Sequence, residues 1–143
     1  MRSRAGAHYK RDHRNGPEEI ETPEDVDRMI DHLLSGEEFQ TAAKVFSKDR
    51  RTLPSGFPDH EFIVGVNPEL RRGAIGFGYE EGTHVTAGDL RDGYEPLYHV
   101  AGHEAYFPEN CEIPLDLVRE AVKQFVFSGG NRPDCVDWKP VNL

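Results

Sequence analysis

The chain has 143 residues with 26 Asp plus Glu against 17 Lys plus Arg, a formal net charge of −9. That length suits one domain able to bury about two-thirds of its unfolded surface. At 36% hydrophobic and 30% charged residues, with no apolar run near the 18 a membrane helix needs, the composition excludes a disordered chain and a helical membrane span. Met1-Arg-Ser-Arg-Ala-Gly-Ala-His8 has positive charge but no apolar stretch behind it, so no secretory signal is expected. Two cysteines with no close pairing suit free thiols in a reducing cytoplasm. Residues 1–16 carry Arg2, Arg4, Lys10, Arg11 and Arg14 against Asp12, a net +4, so the remaining residues hold −13. Such an acidic body repels bare nucleic acid and attracts basic partners.

Residues 1–19 are polar, contain Gly6, Gly16 and Pro17, and read as a flexible basic tail preceding a single domain over 20–143. Thr22 as a cap, Pro23 at the first turn and Glu24, Asp25 and Asp27 at the positive dipole end predict a helix over about 23–35. Val26, Met29, Ile30, Leu33 and Leu34 give it one apolar face, and Gly36 offers its stop. Phe39 to Phe46 is ambiguous in period and is read as a strand. Lys48 to His60 is a charged loop broken by Pro54, Gly56 and Pro58. Strands follow at Glu61–Val66, Gly73–Tyr79, Thr83–Thr86, Glu95–Val100 and His103–Phe107, as successive antiparallel hairpins. A second helix starts at Pro114, presents Leu115, Val118, Val122 and Phe125 on one face, and closes at Gly129-Gly130. Cys135 to Trp138 is a short edge strand or a cover for the core. This order predicts an α+β domain: an antiparallel sheet with two main helices packed against one face.

Residues with chemical potential are sparse in pattern. Gly73, Gly76, Gly78 and Gly82 spell neither the dinucleotide fingerprint nor the phosphate loop and suit closely packed strands. His99 and His103, with Cys111 as a third ligand, suggest a metal site, but Gly102 points to a hairpin turn rather than the helix such a pair needs. Cys111 and Cys135 lie among acids that raise a thiol pKa, so neither reads as a nucleophile. No catalytic residue, metal or cofactor is assigned. The acids remain: Glu80, Glu81, Asp89, Asp92, Glu95, Glu104 and Glu109, interleaved with Tyr94 and Tyr106, have the make-up of a partner-binding surface.

The run Tyr98-His-Val-Ala-Gly-His-Glu-Ala-Tyr-Phe-Pro108 is followed by Ile113-Pro-Leu-Asp-Leu-Val-Arg-Glu-Ala-Val122, Phe125-Val-Phe-Ser-Gly-Gly-Asn-Arg-Pro133 and Val136-Asp-Trp138. Together these resemble the Imm1 family of bacterial immunity proteins, over about residues 24–139. Gly102, Phe107, Pro108, Pro114, Gly129, Arg132, Pro133 and Trp138 are the pattern positions, read as structural; Trp138 is expected to seal the core and Arg132 to fix the preceding turn. The resemblance implies a non-enzymatic α+β protein that binds and blocks a toxin domain of a polymorphic toxin system, often a nucleic-acid deaminase. A metal-dependent enzyme using His99, His103 and Cys111, or an acidic regulator of another basic protein, are the alternatives.

Overall fold

A computed structural model describes residues 3–35, 39–80, 82–88 and 94–141. Among them, ten strands and two α-helices follow in order: β1 (Ala5–His8), β2 (Glu18–Ile20), α1 (Pro23–Leu33), β3 (Ala42–Ser47), β4 (Glu61–Asn67), β5 (Arg72–Tyr79), β6 (Gly82–Thr86), β7 (Leu97–Val100), β8 (His103–Tyr106), β9 (Ile113–Pro114), α2 (Leu115–Phe127) and β10 (Trp138–Pro140). Eight of the strands form one antiparallel sheet in the order β10-β6-β5-β4-β3-β1-β2, with β9 on β5 beside Arg72 and Gly73; β7 and β8 form a separate hairpin. The expected α+β domain, with both helices contacting this sheet, is the observed one.

The period-2 alternation of the strands sorts the two sheet faces. Phe62, Val64 and Val66 of β4 and Ile75 and Phe77 of β5 point to the helices, where Val26, Met29, Ile30 and Leu33 of α1 and Val118, Val122 and Phe125 of α2 meet them. Phe125 stacks on Phe62 at 4.0 Å between ring centroids and meets Phe77 edge-on at 5.5 Å. Thr22 caps α1 by accepting from the Asp25 N–H, while Asp25 accepts from the Thr22 N–H, a reciprocal box that fixes the predicted start. The stop expected at Gly36 lies outside the described residues. Pro114 does not open α2 but precedes it, because it still belongs to the short β9 pairing.

Residues 1–19, expected to be a flexible tail, behave differently. Ala5–His8 is an inner strand, paired with β2 on one side and β3 on the other. Ala5 and Ala7 are fully buried and Tyr9 nearly so. Small alanines alternating with glycine carry little hydrophobic signal, yet they fit a strand crossed closely by others. Phe46 lies over Gly6, whose missing side chain leaves room for that ring.

The opposite sheet face carries the β7–β8 hairpin. Its two-residue turn, Ala101 and Gly102, has positive φ at both positions, the geometry that matches strand twist. Tyr98 lies on Gly65 so closely that a Cβ there would overlap the ring. The Tyr98 hydroxyl donates to Glu112 Oε2 at 2.5 Å, and Arg72 Nε donates to Glu112 Oε1 at 2.7 Å. Burial, then the Glu112 contact, raises the Tyr98 pKa, which keeps the phenol a donor. Gly65→Ala is therefore expected to destabilise the fold by about 1–3 kcal/mol, the usual cost of overpacking. A urea titration checks it, and an unchanged midpoint would show that the hairpin shifts freely.

Candidate functional surface

The outward face of the hairpin is set by its register. Leu97 pairs with Tyr106 and His99 with Glu104, so these four share the face turned from the sheet, while Tyr98, Val100, His103 and Ala105 share the other. Tyr106 is 72% exposed and its hydroxyl donates to Glu104 Oε2 at 2.5 Å, which raises its pKa. Tyr94 is 42% exposed. Tyr79, Tyr98 and Phe107 are packed into the body instead. The aromatic residues of this region thus divide into two solvent-facing rings, Tyr94 and Tyr106, and three that hold the fold.

Of the acids expected on this surface, Glu80, Glu95, Glu104 and Glu109 are exposed. Glu80 meets Arg51 at 3.3 Å. Glu81, Asp89 and Asp92 lie outside the described residues. The acids of α1 are differently employed. Asp27 and Asp31 are bridged by Arg119 of α2 at 3.0 and 2.6 Å, and Lys123 adds a contact to Asp27 at 2.8 Å. Half-exposed pairs of this kind contribute little stability singly, but here they link the two helices to each other. The acidity of residues 17–143 is thus partly neutralised on the helix side.

His99 and His103 cannot converge on one ion through the hairpin, since they sit on opposite faces of it. His99 packs edge-on to Phe39, and Cys111 is fully buried in the small core under the hairpin. Among the described residues no group of three His, Cys, Asp or Glu is placed to hold a metal. Cys135 is half-buried, and burial raises its pKa, away from nucleophilic use.

A loop that the sequence marked only as charged supplies further surface. Leu53 and Phe57 are 42% and 70% exposed, on a turn closed by the Thr52–Pro58 bridge. Its stem is firmly held. Arg50 donates to both Asp59 oxygens at 2.9 and 3.2 Å and to the Gly130 carbonyl at 3.0 Å, and it lies over the Tyr79 ring. Gly130, at φ +87, leaves the room Arg50 needs: a Cβ would come within 2.6 Å of its side chain. The Arg50 guanidinium, then the neighbouring His60, hold the Asp59 carboxyl below its usual pKa despite partial burial. His60 has a buried side chain, faces Asp59 through Nδ1 at 2.9 Å and accepts the Ser47 N–H at Nε2. That acceptance requires the neutral ring. Leu53 and Phe57 flank the breakers Pro54 and Gly56, a signal that the charge pattern of this loop hides.

The pattern positions near the C-terminus have distinct roles. Gly129 ends α2 at φ +84, and Pro133 is buried with its carbonyl accepting from Trp138 Nε1 at 2.7 Å. Phe107 is buried against the sheet, beside Gly76. Trp138 pairs with Thr86 at the sheet edge and is half-buried against the core, a cover rather than a central plug. Arg132 is exposed and makes no hydrogen bond or ion pair with any described residue, so the expectation that it fixes the turn does not hold; Asn131 and Ser128 do that through their own bonds.

Within the described residues no helix is long and apolar enough to cross a membrane. The family model of immunity protein Imm1 matches residues 14–140. No curated protein matches the sequence.

Burial pushes the His60 pKa below the ordinary histidine value, with Asp59 partly opposing and Arg50 adding to the shift. The unfolded state then binds the proton first, so His60's contribution is complete above about pH 6.5 and declines as pH falls towards the folded pKa. Urea melts should show stability dropping between about pH 7 and 5, and His60→Gln should flatten that drop. Trp138→Ala should cost about 2 kcal/mol, less than the ~3–5 of a fully buried Trp; a loss of about 4 or more would mean it anchors the core after all.

Proposed function

Because the chain belongs to the Imm1 family of immunity proteins, non-enzymatic inhibitors that neutralise a cognate toxin, we propose that its toxin is a nucleic-acid deaminase domain and that it docks through an acidic surface. The observation that carries this reading is the −13 borne by residues 17–143, together with exposed Tyr94 and Tyr106 among Glu80, Glu95, Glu104 and Glu109. Glu81, Asp89 and Asp92 belong to the same proposed surface by sequence. A deaminase acting on nucleic acid must present cations to the phosphate backbone and a pocket to the extruded base. An acidic partner is steered to those cations and covers them, excluding substrate.

The division of labour is physical. Long-range charge raises the association rate, because the fields of two complementary surfaces act before contact. Short-range energy comes from desolvated aromatic anchors, which hold the complex once formed. The exposed tyrosines suit this anchoring role, since each offers a large ring at the cost of few rotatable bonds. Pairing of the α1 acids Asp27 and Asp31 with the α2 cations Arg119 and Lys123 favours the hairpin side over the helix side as the docking face.

The association rate with the toxin domain should fall about tenfold or more between roughly 50 and 500 mM salt, and Glu104→Lys with Glu109→Lys should lower it further at low salt. Single-stranded DNA should compete with the protein for the toxin. A salt-independent rate overturns steering, and binding unaffected by DNA would place the contact away from the nucleic-acid groove.

A further inference from the structure

Gly76 and Gly78 lie two apart on β5 and so leave the same outer sheet face without side chains. Elsewhere on that face a ring covers the gap: Tyr98 covers Gly65, and Phe46 covers Gly6. Over Gly76 and Gly78 the cover is incomplete. A Cβ on Gly76 would meet the edge of Phe107 at an ordinary 3.5 Å and Val85 at 3.9 Å, and one on Gly78 would meet the Thr83 hydroxyl at a tighter 3.2 Å, with no ring over it. The result is a groove of about 520 Å³, floored by Ile63, Gly76, Gly78 and Val85 and walled by Leu53 and Tyr106. A glycine pair in a strand interior marks a place where something else approaches the backbone closely.

The walls are apolar and open, with Leu53 42% and Tyr106 72% exposed. The rim is acidic. Glu61 lines the groove, is exposed, and forms no ion pair among the described residues. Glu104 stands beside Tyr106, while the cation of the adjoining loop, Arg51, is already engaged by Asp59 and Glu80. Tyr106 also brings an open strand edge. The Phe107 N–H donates to the Pro96 carbonyl, so by antiparallel alternation the main-chain groups of Glu104 and Tyr106 point away from β7. No described backbone group meets them there.

We infer that this groove seats an apolar side chain flanked by basic residues, carried on an extended segment of the toxin that runs along the β8 edge. The inference rests on the toxin-binding reading above and names its contact. Charge selects the occupant: an acidic rim around an apolar floor favours a cationic segment, and the same charge, with −9 on the whole chain, disfavours a second copy. Apolar burial supplies affinity, and open main-chain groups supply register.

Gly76→Val projects side-chain bulk from the floor, its Cβ at ordinary contact distance from Phe107 and Val85, and Leu53→Asp reverses a wall outside both hydrophobic cores. The probe is the cognate toxin domain in catalytically inactive form, with binding measured by calorimetry. Each variant should weaken binding by about 30-fold or more, the scale of a central anchor, at unchanged melting temperature. Glu24→Lys on α1 should stay within about threefold, as expected for a charge outside the contact. If the wild-type chain does not bind the domain, the toxin reading fails and this one with it. If it binds and both groove variants bind equally well, the groove is overturned while the toxin reading stands. Should Gly76→Val lower the melting temperature, Leu53→Asp alone decides. A wild-type dimer split by Leu53→Asp with toxin affinity intact would make the groove a self-interface and overturn the inference.

Discussion

The contact between Tyr98 and Gly65 sets the shape of the functional side of this molecule. A ring can lie flat on a strand only where that strand has no side chain, and Gly65 provides the place. The ring then carries its hydroxyl to Glu112, which Arg72 neutralises from β5. Three separate chain segments meet at one buried carboxylate, and removing either partner would strand it at a cost of several kcal/mol. The hairpin is held against the sheet by this arrangement, with Val100, Phe107 and Cys111 filling the space around it. Everything exposed on the hairpin's outer face, including Tyr106 and Glu104, is displayed from that fixed base.

The two sheet faces consequently differ in what they contribute. The helix side holds the larger core, with the Phe62–Phe77–Phe125 cluster and the capped α1, and the ion pairs of Asp27 and Asp31 with Arg119 and Lys123 join its two helices. The hairpin side combines a second, smaller core with exposed rings and carboxylates. An inhibitor that acts by binding needs a rigid platform rather than a catalytic cavity. A loop pinned by Arg50, Asp59 and His60 beside a clamped hairpin supplies such a platform, because a preorganised surface loses little entropy on binding.

Most of the element order was legible from local pattern. The helices announce themselves by caps and apolar faces at 3.6-residue spacing, and the strands by alternation between turn residues. The first strand was not legible, because Ala5, Gly6 and Ala7 bury completely while offering almost no hydrophobic contrast; only the fit between β2 and β3 makes them a strand. The separation of exposed from buried aromatics was likewise hidden. Tyr98 and Tyr106 have similar neighbours in sequence, and which of them faces water depends on the register fixed by the Ala101–Gly102 turn and on which face of the hairpin meets the sheet.

Propensity, composition and motif are properties of the linear chain, so the α+β class, the acidity of residues 17–143 and the immunity-family pattern of the C-terminal half are already present there. Where that acidity is free to act follows from the packing of the folded chain. That packing assigned Asp27 and Asp31 to the helix interface, left Glu61 lining a groove with Glu104 bonded to its Tyr106 wall, and put the bare glycines of β5 on the same groove as Leu53 and Tyr106. Charge is counted along the chain, but the field and the contact surface depend on which groups are neighbours in space, and that is settled only by packing.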